Sequence, residues 1–119
     1  MMDSRPIYYG DRTHPEVQQA LHEKPDVPVL DTVYNGLAFV RLVLHPDAAG
    51  NEAYLTEWSH RAAASLREGD RVYMMIHCPN NLHCPAFARD FHERLRREPG
   101  MAPLPPLPPW PLPRQRDLL

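Results

Sequence analysis

At 119 residues the chain has the length of one domain and falls well short of the roughly 250 residues of a complete eightfold βα barrel. Thirteen Lys and Arg against fifteen Asp and Glu leave a formal charge of −2 and a pI near 6.4, so no global basic field exists and nucleic acid could be held only by a local patch. Two cysteines, Cys78 and Cys84, are too few for a disulfide framework. No secretory leader pattern is visible, and no apolar run approaches the roughly 20 residues of a membrane span. The expectation is a soluble, cytoplasmic protein with no membrane partner.

Met1 to Tyr9 form a short amino-terminal segment. In Thr13-His14-Pro15-Glu16, Thr13 is placed to cap a helix, Pro15 suits its first turn and Glu16 completes a capping box, which predicts a helix to about Glu23. Pro25 and Pro28 stop it. Val27 to Tyr34 then reads as an extended connection or short strand, ended by the turn pair Asn35-Gly36, which is also a hairpin signal between two apolar stretches. Phe39 to Leu44 reads as a strand that leaves at His45. From Asn51 the period becomes helical, with Leu55, Trp58, Ala62 and Leu66 on one core-facing stripe and Gly69 placed to end it. Val72 to Ile76 is a second strand, leaving at His77-Cys78. A last helix runs from about Pro85 to Arg97, with Phe87, Phe91 and Leu95 at steps of four and Arg94, Arg96 and Arg97 favourable to its dipole.

After Glu98 the composition changes: eight of the fifteen prolines lie between Pro99 and Pro113. Such a run reads as polyproline II, which divides the chain into a domain over 1–98 and a tail over 99–119. The spacing Pro103 to Pro106 fits an SH3-type groove. No basic residue stands beside it, and Leu104, Leu107, Trp110 and Leu112 suit packing along the domain's own surface instead.

Two strand-then-helix units in tandem predict a parallel α/β sheet, whose ligand groups gather at the carboxyl ends of strands. Side chains alternate along a strand, so Val40, Leu42 and Leu44, with Val72, Met74 and Ile76, form the set that helices should cover. Phe39, Arg41, Val43 and His45, with Arg71, Tyr73, Met75 and His77, form the opposite set, in which Arg41, His45, Tyr73 and His77 could converge. A guanidinium within an apolar strand needs a partner, and Arg41 is read either as an ion-pair partner of Asp3 or as an anion clamp. His45 and His77 are the candidate catalytic residues, as proton carriers at strand ends.

The segment His77-Cys78-Pro79-Asn80-Asn81-Leu82-His83-Cys84 holds four soft or borderline metal ligands. Its spacing matches neither CxxC nor HExxH, and two prolines restrict it, so neither metal nor cofactor is assigned. Asn80 and Asn81, ahead of a helix start at Pro85, are read as anion donors. No glycine-rich phosphate loop and no GxSxG elbow occurs, which argues against a nucleoside-triphosphate enzyme and an ordinary serine hydrolase.

The order of Asp3-Ser4-Arg5-Pro6, Lys24-Pro25-Asp26-Val27-Pro28-Val29, Phe39-Val40-Arg41-Leu42, Glu57-Trp58 and Val72 to Ile76, with Leu104-Pro105 and Trp110-Pro111 in the tail, resembles the carboxyl-terminal part of the YecE-like family, a domain-of-unknown-function family with a TIM-barrel-like fold. The resemblance implies that the two clear strands are the last two of a barrel and that Asp3 and Arg5 lie at its mouth as ligand-binding residues. It also implies further strand and helix units ahead of the position of Met1, so the chain reads as a fragment or as a product beginning inside the fold.

The expected architecture is an incomplete barrel of three or four mostly parallel strands, with about three helices on one side. The expected function is binding of an anionic, phosphate-bearing small molecule or nucleic acid at the strand ends through Arg41, Tyr73, Asn80 and Asn81, with hydrolase chemistry as its extension. The alternative is a non-enzymatic interaction module that uses an open sheet edge or the tail, with a second copy or a missing barrel half as partner.

Overall fold

A computed structural model describes residues 1–26, 33–101 and 103–108. Its centre is an open sheet of three parallel strands in the order β1-β2-β3: β1 (Met2–Asp3), β2 (Leu37–Val43) and β3 (Arg71–His77). β2 and β3 pair along their whole length, Leu37 opposite Arg71 through Val43 opposite His77, while β1 adds Met2 opposite Arg41 and Asp3 opposite Leu42. The parallel reading therefore holds. The helices are α1 (Arg5–Tyr9), α2 (Pro15–Glu23), α3 (Glu52–Arg67) and α4 (Cys84–Arg96), with single 3-10 turns at Ala48–Asn51 and Asn81–His83.

Alternation along the strands sorts the core as expected. Val40, Leu42 and Leu44 are buried with Leu55, Trp58, Ala62 and Ala63 of α3 and with Phe87, Phe91 and Leu95 of α4, and Val72, Met74 and Ile76 pack against them. Burial of each such side chain contributes about 1.5 to 3 kcal/mol, which makes the α3–α4 layer the main source of stability.

The expectation of helices on one side is corrected. α1 and α2 fold over the carboxyl ends of the strands on the opposite face, where Ile7, Val17 and Ala20 enclose Val43 and Met2 packs beside them. Toward the amino ends no described element covers that face, and Phe39 and Tyr73 are exposed.

Local details depart from the sequence reading for identifiable reasons. α2 is capped by His14, whose Nδ1 accepts from the Glu16 amide at 3.2 Å. Thr13 instead spends its amide and hydroxyl on Asp11 Oδ1, so the Thr13–Glu16 capping box does not form. Asn35 and Gly36 both take positive φ, 51° and 71°, as a two-residue primed turn requires. That turn closes a single antiparallel bridge between Tyr34 and Leu37, after which β2 commits to its parallel neighbours. Val27 to Thr32, most of the predicted extended connection, lies outside the described residues, as do Trp110 and Leu112.

The first part of the proline-rich segment lies on the helical layer. Met101 and Leu104 pack against the α3–α4 core, Arg96 Nε donates to the Leu104 carbonyl at 3.0 Å and the His92 ring meets the Pro105 carbonyl at 2.7 Å. Among the described residues no helix is long and apolar enough to cross a membrane.

Candidate functional site

The carboxyl end of β3 opens into a cleft of about 380 Å³ between α2 and the loop that follows the strand, lined by Glu16, Gln19, Glu23, Lys24, His77 and Asn81 among others. Two features of the sequence place it. Pro25 ends α2 so that the chain must turn beside the strand ends, and Tyr8 holds the turn by donating to the Lys24 carbonyl at 2.5 Å, as Ser4 does to the Pro25 carbonyl at 2.7 Å. On the other wall, Asn80 caps the Asn81–His83 turn by accepting from the Leu82 amide at 3.1 Å, and its Nδ2 donates to Glu16 Oε1 at 2.9 Å.

His77 is partly buried in this cleft. Burial first, and then the Lys24 and Arg41 cations, hold its pKa below the ordinary 6.5, while Glu23 acts in the opposite direction. The ring is accordingly neutral at pH 7, the form that accepts a proton. Glu16 Oε2 is buried and has no hydrogen-bond partner, and Glu23 Oε1 is taken by Gln19 at 3.0 Å. Lys24 has no carboxylate partner among the described residues. The arrangement combines a cation, a neutral imidazole, the Asn81 amide and one vacant carboxylate acceptor.

His45 sits differently. It is 1 % exposed, its Nδ1 accepts from the Asp47 amide at 2.9 Å and its Nε2 meets the Asp11 carbonyl at 2.9 Å. With one nitrogen accepting and the other facing a carbonyl, Nε2 carries the proton and both ring nitrogens are occupied by backbone. Asn51 closes the arrangement, its Oδ1 accepting from the His45 amide at 2.7 Å and its Nδ2 donating to the His45 carbonyl at 2.8 Å. The ring thus joins the β2 exit to the loop before α2.

Asp3 and Arg5 form a second cluster, on the α3 side of the sheet. Asp3 is fully buried; its Oδ2 accepts from Trp58 Nε1 at 2.7 Å and from Arg5 Nη2 at 2.8 Å, and its Oδ1 from Arg5 Nε and the Arg5 amide at 3.0 Å each. Arg5 also pairs with Glu57 and lies over the Tyr54 ring at 5.0 Å. Burial pushes the Asp3 carboxyl up, but the donors from Arg5 and Trp58 outweigh it and hold it below the ordinary carboxylate value. Glu57 and Trp58 enter the sequence reading only through the resemblance and the core stripe; their meeting with Asp3 and Arg5 needs the packing of α3 on β1.

The suggested Asp3–Arg41 ion pair is therefore corrected: Asp3 lies opposite Leu42, on the α3 side, whereas Arg41 lies one residue away, on the other face. Arg41 does share its face with Tyr73 and His77. The four residues Arg41, His45, Tyr73 and His77 nevertheless do not meet at one point, because four residues of strand separate Tyr73 from His77 by about 13 Å and His45 is enclosed. Asn80 is occupied by its cap and by Glu16, leaving Asn81 as the amide in the cleft.

Cys78 is buried, and burial pushes its thiol up to about 11, the opposite of an activated nucleophile. Among the described residues no three His, Cys, Asp or Glu side chains group as a metal ion would require. Glu16 and Lys24 are the cleft residues that sequence reading did not single out for binding. Their signals were present, Glu16 as a presumed cap and Lys24 within Lys24-Pro25, but nothing local connects α2 to the loop after β3.

An open parallel α/β sheet with a polar cleft at its strand carboxyl ends is the class of protein these observations define. Residues 7–112 match the family model described as "Protein of unknown function DUF72", and the chain belongs to that family, the same one that the YecE-like resemblance indicated. No curated protein and no solved structure matches the chain.

Proposed function

We propose that the chain contributes the carboxyl-terminal strands of a DUF72 fold and that its strand-end cleft binds a phosphate ester bearing a free hydroxyl, such as a sugar phosphate. The observation that carries the reading is the gathering of Lys24, His77 and the vacant Glu16 Oε2 around one cleft. Lys24 and the Asn81 amide bind the phosphate, with Arg41 adding positive potential behind His77. Glu16 Oε2 accepts from the ligand hydroxyl, which relieves the cost of a buried, unpartnered acceptor. As a hydrolase, the site uses neutral His77 to accept a proton from the attacking water as its oxygen bonds to phosphorus and the ester P–O bond breaks, and the alcohol leaves with a proton taken from solvent.

Inorganic phosphate and glucose 6-phosphate, titrated separately into the protein, test this through the His77 ring signals. The sugar phosphate should shift them at millimolar concentration or below and bind more tightly than inorganic phosphate, and Lys24→Ala should abolish the shift. No shift with either compound, or equal shifts in Lys24→Ala, would refute the site. Release of p-nitrophenol from mono- and bis-p-nitrophenyl phosphate, lost in His77→Ala, tests the hydrolase extension.

A second reading draws on the free edge of β3, which has no strand beyond it among the described residues. Such an edge favours pairing with another chain, and sedimentation over a dilution series would detect it.

A further inference from the structure

The loop after β3 and the start of α2 meet through one side chain. Asn80 follows Pro79 at the strand exit, where its backbone amide hydrogen-bonds the sulfur of buried Cys78. Its carbonyl accepts from the His83 amide at 3.1 Å, and its Oδ1 accepts from the Leu82 amide at 3.1 Å. Because a backbone N–H can only donate, the side-chain atom facing Leu82 is the oxygen, and the nitrogen points the other way. There Nδ2 donates to Glu16 Oε1 at 2.9 Å, across 64 positions of sequence. Glu16 stands in the first turn of α2, and its own amide donates to the His14 ring at 3.2 Å. Its backbone and one carboxylate oxygen are thus both fixed. The other oxygen, Oε2, is buried without a partner in a residue that lines the strand-end cleft.

We propose that Asn80 is a positioning residue that gives the cleft its preference for phosphate esters carrying a hydroxyl over esters without one. The inference rests on the sugar-phosphate reading of the cleft and assigns its selectivity to a residue that touches no ligand. A long glutamate side chain left free at a cleft wall would turn its carboxylate to solvent and sample many rotamers. The Asn80 donor holds one oxygen without bringing a charge, so the second oxygen keeps a fixed place as an acceptor. A lysine or arginine there would pair with the whole carboxylate and leave nothing for a ligand. An ester with a hydroxyl in reach supplies the missing donor. An ester without one leaves the oxygen buried and unpaired, which is the costlier outcome. Lys24 and the Asn81 amide hold the phosphate in either case, so the Asn80–Glu16 pair carries the discrimination.

Glucose 6-phosphate and methyl phosphate, an ester with no alcohol group, test this when each is titrated into the whole chain and followed by the His77 ring signals. The parent should bind the sugar phosphate about tenfold or more tightly than methyl phosphate. Asn80→Ser retains an oxygen able to cap the Leu82 amide but does not reach Glu16. Asn80→Asp keeps the shape and the cap while an acceptor replaces the donor. In both, the preference should fall to about threefold or less, whereas a merely structural role would weaken the two esters alike. Glu16→Ala should lose the preference by itself, and adding Asn80→Ser to it should change nothing further. In the free chain the Asn80 side-chain amide signals should move on Glu16→Ala, which checks the contact without any ligand. Circular dichroism melting of each variant confirms that the fold is retained. A preference kept in both Asn80 variants, or lost only together with methyl phosphate binding, would overturn this inference and leave the cleft reading in place. Asn80 amide signals unmoved by Glu16→Ala would overturn the positioning contact whatever the ligands do. A parent that binds neither ester, or both alike, would overturn the cleft reading and this inference with it.

Discussion

Replacing Trp58 by phenylalanine probes the hydrogen bond to Asp3, a contribution beyond the core packing that the sequence indicated. The indole is 2 % exposed in the α3 layer and its Nε1 donates to buried Asp3, so Trp58 is at once core and the partner of a charge. Trp58→Ala removes both and should cost about 3 to 5 kcal/mol from lost packing and the cavity left behind, a large share of the roughly 5 to 15 kcal/mol that holds a domain together. Trp58→Phe retains an aromatic ring in the layer but removes the donor, at about 1.5 to 3 kcal/mol for a hydrogen bond to a charged group, together with a packing loss smaller than that of Trp58→Ala.

The two substitutions should also differ in their pH dependence. Asp3 is held below its ordinary value of 3.8; its contribution is therefore fully present above that value and is lost as pH falls through the folded-state value. Without the indole donor the folded-state value rises, so the gap between parent and Trp58→Phe should narrow at pH values low enough to protonate Asp3 in both, leaving the packing loss and a weaker neutral hydrogen bond. Urea titrations followed by far-ultraviolet circular dichroism, at pH 7 and at steps below pH 4, measure both effects. A Trp58→Phe midpoint equal to the parent's at pH 7, or a gap that stays constant into acid, would refute the assignment of Trp58 as an energetic partner of Asp3.

Gly10→Ala should destabilise the loop before α2, because a Cβ there would lie 2.7 Å from the Pro6 carbonyl and 2.8 Å from the His45 ring; a melting temperature unchanged from the parent would contradict the packing of His45. For His77, a folded-state pKa below 6.5 means that the unfolded chain takes up the proton first, so stability should decline as pH falls from 6.5 toward the folded value. Titration of the His77 ring resonances checks the direction, and a value above 6.5 would reverse it. Protein purified without chelator should contain no stoichiometric zinc, since no metal-ligating group assembles among the described residues; one zinc per chain, lost in Cys78→Ser and Cys84→Ser, would show otherwise.

Alternation and helical period were sufficient to sort the strands and helices. The aliphatic parity of Val40, Leu42, Val72 and Met74 identified the covered face because a strand has only two faces and the hydrophobic effect chooses between them. The stripe through Trp58 and the steps of four through Phe87, Phe91 and Leu95 identified α3 and α4 for the same reason. Asn35-Gly36 specified a turn, since both positions must adopt positive φ, but not what the following strand would pair with.

The tertiary structure alone decided where the polar groups go. Arg5 and Asp3 are two residues apart, yet their partners Glu57 and Trp58 lie more than fifty residues on, and no local rule connects such positions. His45 and His77 are equivalent in sequence, each at the exit of an apolar strand. They differ because Asp11 and Asp47 supply backbone partners to one ring, while the other faces a cleft beside Lys24. Likewise Glu16 appeared to be a capping residue, and only the approach of α2 to the loop after β3 turned its carboxylate toward Asn80. Apolar periodicity is a property of a single segment and can be read from it. Hydrogen-bond and charge partners are chosen among all groups that the packed core brings within about 3 Å, so they appear only when the core has formed.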